Sequence, residues 1–87
     1  MVDIKVVEEN GAYAVTVSEG ASSTNHRVTV STPDYERLRK GDESPEDLVR
    51  RSLEFLLTKE GKESIMSSFD LTLIGRYFPE YEKTISS

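Results

Sequence analysis

VDIKVVEENGAYAVTVSE, Val2 to Glu19, decides the fold. Its apolar residues alternate. Val2, Ile4 and Val6 share one face of a first strand, and Tyr13, Val15 and Val17 share one face of a second. Between them lies Asn10-Gly11, a strong short hairpin signal, because both residue types accept the positive φ that a type I′ turn demands. Turn and pattern can be checked against each other. A two-residue loop at Asn10-Gly11 pairs Glu9 with Ala12, hence Val6 with Val15 and Ile4 with Val17. Apolar then faces apolar throughout, so turn chemistry and alternation specify one register.

Working outward, Thr24 to Val30 repeats the alternation, with His26, Val28 and Val30 on one face and Asn25, Arg27 and Thr29 on the other. The small polar link Glu19-Gly20-Ala21-Ser22-Ser23 suits a second hairpin. The expectation is a three-stranded antiparallel meander over about 2–8, 12–18 and 24–30, with one apolar face that needs a cover.

That cover is helical. Thr32-Pro33-Asp34 reads as an N-cap, a proline at the first helical position and an acid near the positive helix end, predicting a helix over about 33–40 that Gly41 stops. Ser44-Pro45-Glu46-Asp47 repeats the signal. From Leu48 to Leu57 a wide apolar stripe predicts the main core helix, about 45–59, ended by Gly61. Ile65, Met66 and Phe69 suggest a short turn or helix near 63–67. Asp70 then reads as the N-cap of a helix over 71–78, which Pro79 closes. The class is α+β, a meander covered on one face by three or four helices, in a single domain over 1–87.

Eighty-seven residues bury only a little over ~60% of the surface of the unfolded chain, so the stability margin is thin. There is no cysteine, which removes disulfides, thiolate nucleophiles and thiolate metal ligands and favours a cytoplasmic location. No apolar run approaches the roughly 18 residues of a membrane span, and Met1 opens directly onto a strand pattern, so neither a membrane nor a signal peptide is expected. Net charge is −5, with no basic segment, which argues against nucleic acid as a partner.

Each chemical candidate competes with a structural explanation. His26 is the only histidine and the only side chain that titrates near neutrality unperturbed. Ser22, Ser23 and Thr24 lie near it, but its parity with Val28 and Val30 puts it at the rim of the core, and no nucleophile-elbow motif accompanies it. Asp42, Glu43, Glu46 and Asp47 lack the spacing of a calcium loop, and helix capping accounts for the last two. With one histidine and no cysteine, no metal site and no cofactor is expected. The basic groups Arg37-Arg39-Lys40 and Arg50-Arg51 are interleaved with acids and read as solvated helix faces. Three strands followed by a helix invite comparison with double-stranded-RNA modules. Here, though, the closing helix starts Pro33-Asp34-Tyr35-Glu36, which repels phosphate. No catalytic set is visible, and an enzyme is not expected; were there one, it would rely on His26.

FDLTLIGRYFPEYE, Phe69 to Glu82, holds four of the seven aromatic residues. Leu71, Ile74 and Phe78 read as a plug for the core. Tyr77 and Tyr81 need not share that face, and Gly75 costs up to ~1 kcal/mol against alanine in a helix, which suggests a close neighbour. Tyr77, Tyr81, Gly75 and Arg76 are therefore the candidate partner-binding residues, the partner being another protein or a second copy. The exposed sheet edge is the other candidate.

The strings HRVTV (26–30), EFLL (54–57), KESI (62–65) and FDLTLIGRYFPEYE (69–82) together resemble a small prokaryotic family of hypothetical proteins of about this length. The likeness covers His26 to Glu82 and implies a free-standing prokaryotic domain; it carries no activity, catalytic residue or ligand. Small antitoxins of the HicB kind also open with a short sheet followed by a helix. That likeness of element order suggests, as an alternative function, a regulatory partner in a nucleic-acid system.

Overall fold

The computed structural model describes residues 2–86. Strands β1 (Val2–Glu9), β2 (Ala12–Glu19) and β3 (Ser22–Thr29) form the meander, in the register derived above: Val6 opposite Val15, Ile4 opposite Val17. Asn10 and Gly11 both have positive φ, 51° and 83°. That is the type I′ geometry. The second turn is tighter than the sequence suggests. Glu19 pairs with Ser22, leaving a two-residue loop with positive φ only at Gly20, the II′ pattern.

Helix α1 (Thr32–Leu38) and helix α2 (Pro45–Lys59) follow. The cap of α1 is Ser31, not Thr32: the Asp34 amide donates to Ser31 Oγ at 3.3 Å, and Ser31 Oγ donates to Asp34 Oδ2 at 2.9 Å. Thr32 is thus the first helical residue, and Pro33 still sits where its missing N–H costs nothing. Ser44 caps α2 as expected, accepting from the Asp47 amide at 3.2 Å. Leu48, Val49, Leu53 and Leu56 of α2 close onto Tyr13, Val15, Val17 and Val28 in one buried cluster.

The sheet has a fourth strand that the sequence reading lacks. After a 3-10 turn at Lys62–Ser64, β4 (Ser68–Asp70) lies parallel to β3, giving the order β1-β2-β3-β4. A parallel neighbour needs a long crossover, and α1 and α2 occupy it. Ser68-Phe69-Asp70 is too short to show any period. It is a strand because its neighbours pair with β3: the Arg27 amide donates to Ser67 O and the Leu71 amide to Thr29 O, each at 2.8 Å.

Helix α3 is correspondingly shorter than expected, Thr72–Tyr77, with Leu71 rather than Asp70 at its start. Asp70 ends β4 instead, its carboxylate accepting from Thr29 Oγ1 at 2.8 Å and from the Thr72 amide at 3.1 Å. A further helix, α4 (Tyr81–Ser86), follows Pro79, with Tyr81 and Ile85 one turn apart and both buried. No helix among the described residues is long and apolar enough to cross a membrane.

Candidate binding groove

Two of the exposed large apolar side chains, Met66 at 42% and Tyr77 at 66%, flank one trough. Its volume is about 400 Å³, and it runs between the C-terminal end of α2, the 3-10 turn, β4 and α3. Leu56, Ile65, Phe69 and Ile74 form its floor, all buried; Leu73 and Phe78 are partly buried in its walls. Ligand sites are commonly concave, mostly apolar and ~300–1,000 Å³, with few polar groups, and the trough fits that description. Glu60 is its one charged lining residue.

Local sequence explains how each wall arises. Leu56 and Glu60 are four apart at the end of α2, where Glu60 turns extended (φ −154°) and its amide donates to Leu56 O at 2.9 Å. That break throws the chain across to the 3-10 turn. There His26 acts as a tether. Met66 O can only accept, so His26 Nδ1 donates to it at 2.8 Å, and Nε2 lies 2.8 Å from Thr24 Oγ1. His26 is buried with both ring nitrogens engaged, and it joins β3 to the segment that carries Met66. With Nδ1 holding the proton given to Met66 O, Nε2 is left to accept from the Thr24 hydroxyl.

Of the four residues singled out from the sequence, the structure places only Tyr77 on the trough. Tyr81 is a correction: it is fully buried, its ring 5.4 Å from Phe55. Ser52 Oγ donates to Leu48 O at 2.9 Å, which leaves Ser52 Oγ to accept from the Tyr81 hydroxyl at 2.7 Å. Burial pushes the Tyr81 phenol up to about 12, the Ser52 bond pulling the other way. Gly75 does face a close neighbour, but an intramolecular one. A methyl there would meet Glu82 at 3.6 Å and the Tyr81 ring at 3.7 Å, ordinary contact distances to α4. Arg76 is exposed and lies outside the trough lining.

The sequence reading missed Met66 and Glu60 as site residues. Met66 falls in the short turn or helix expected near 63–67, which gives no sign of its exposure. Glu60 had a legible signal, an acid one turn beyond Leu56 on the apolar stripe of α2, just ahead of Gly61.

The sheet edge is a weaker site. A cleft of about 520 Å³ runs beside β1, larger than the trough, but Asp3, Arg50, Glu54 and Thr58 make up much of its wall. Arg50 Nε donates to Ile4 O at 3.3 Å, so a free edge carbonyl is already occupied. Charges and side-chain cover on an edge protect it from pairing. Among the described residues, no cluster of three His, Asp or Glu side chains could hold a metal ion.

No protein-family model, curated protein or solved structure matches this chain. Its site therefore rests on its own geometry.

Proposed function

We propose that this chain is a non-enzymatic protein-interaction module that binds a partner through the apolar trough between α2, β4 and α3. One observation carries the reading: Met66 and Tyr77, both exposed, border a single concave apolar surface. A small domain has little apolar surface to spare from its core, and two exposed apolar side chains bordering one concavity support a contact there. Methionine adapts to varied partners, and tyrosine supplies area with a hydroxyl at the wet rim. The burial of His26, the one histidine, supports a non-enzymatic role, and the cysteine-free composition suits the reducing cytoplasm.

A tagged pull-down from the native host, split into untreated and nuclease-treated halves, tests the reading. A stoichiometric protein should survive nuclease with the wild-type chain and be lost with Tyr77→Lys. Retention by Tyr77→Lys would remove the trough as the contact. Loss of the partner on nuclease treatment would show that nucleic acid holds the assembly together.

A further inference from the structure

Glu60 stands apart from the cations around it. Its side chain makes no hydrogen bond or ion pair among the described residues, although it half-buries against an apolar wall. The nearest cations in sequence are committed elsewhere. Lys59 Nζ lies 3.0 Å from Glu80 Oε2 and over the Phe55 ring, and Lys62 Nζ lies 2.6 Å from Glu63 Oε2. An unpaired carboxylate at the wall of an apolar trough favours a cation held beside apolar groups, because partial desolvation strengthens the attraction.

Resting on the function proposed above, we infer that the occupant is a basic amphipathic helix of a partner protein, with its apolar row in the trough and a Lys or Arg on Glu60. The backbone argues for a helix over an added strand. Only β4 brings a sheet edge here, and it is three residues long, too short to supply the ladder on which strand addition depends. Side chains must supply the affinity, and a helix presents them in one row at i, i+3 or i+4, and i+7. Charge argues against a second copy, which would bring a net −5 to a trough whose one charge is negative.

The test uses a displayed library of random 16-residue peptides, panned on the full chain and counter-selected on Tyr77→Lys. Circular dichroism first establishes that each variant is folded. Selected peptides should carry apolar residues at helical spacing with at least one Lys or Arg. Glu60→Lys should weaken the best of them by roughly tenfold, the scale of a partly shielded ion pair turned into a like-charge contact, and should shift selection toward Asp and Glu. Peptides that need the trough but lack basic residues and ignore Glu60→Lys would overturn the basic-helix inference alone. Peptides binding Tyr77→Lys equally well, or no enrichment at all, would overturn the trough itself. Dimerisation of the chain in sedimentation, abolished by Tyr77→Lys, would make a second copy the occupant and refute the inference.

Discussion

The β1-β2-β3 meander pairs residues close in sequence, whereas the segment from Lys62 to Ser86 is tied down by partners far away in the chain. In the meander, two tight turns and one alternation agree on every cross-strand pair. In the C-terminal segment, β4 has three residues and α3 and α4 have six each. Helices that short do not hold in water by themselves. They hold because His26 binds Met66 O, Ser52 binds Tyr81 and Arg51 Nη1 donates to Ile85 O at 2.9 Å. The trough is built largely from this second kind of structure. Locally coded strands make the scaffold, and the tertiary-dependent segment lays its apolar residues over it and leaves some uncovered.

Substitutions can break or sharpen that contrast. Tyr81→Ala should have the largest effect, about 3–5 kcal/mol of stability lost in urea unfolding, since it empties a fully buried aromatic site and removes the partner of Ser52. A loss below ~1 kcal/mol would mean that α4 is not integral to the core. Next comes Glu43, which joins α2 to the loop after α1. Arg51 contacts it through two nitrogens, with Nη2 at 2.7 Å from Oε1, and the Tyr35 hydroxyl donates to its carbonyl. Hydrogen bonds from Arg51 hold the Glu43 carboxyl below its ordinary value of 4.5, against burial. The folded state therefore binds this proton less readily than the unfolded one. Its contribution is full above the ordinary value and is lost as pH falls through the lowered one. Glu43→Gln should cost about 1–3 kcal/mol at pH 7 and should flatten the acid limb of a melting-temperature profile. An unchanged acid limb would assign that limb to other carboxyls.

Within the meander, Gly11→Ala forces a Cβ into φ 83° while meeting no neighbour within 4 Å, so the cost is backbone strain alone. We expect about 1–2 kcal/mol, read by chemical unfolding. A neutral result would show that the hairpin tolerates another turn. Smallest is Tyr77→Ala, expected within ~0.5 kcal/mol of wild type, because the side chain is mostly exposed. Paired with Tyr81→Ala, it separates the two tyrosines. Equal destabilisation by both would contradict their difference in burial.

How far the site could be read from the sequence follows from the same contrast. Tyr77 and Tyr81 are four apart in an aromatic-rich stretch, and nothing local says which one is buried. Pro79 interrupts the helix between them, so the two rings belong to different helices, and a single helical wheel misplaces one of them. The sequence reading ends its last helix at Phe78 and lacks α4, in which Tyr81 and Ile85 lie one turn apart.

By itself the sequence determined the meander, the register of its first hairpin and the extent of α2. Each rests on agreement between neighbours: Asn10-Gly11 with the alternation, Ser44-Pro45 with the apolar stripe. Only the tertiary structure decided that Ser68-Phe69-Asp70 is a strand, that Tyr81 lies inside and Tyr77 outside, and that Met66 and Glu60 meet on one trough. Three residues carry too little propensity to choose a conformation, so pairing with β3 chose it for them.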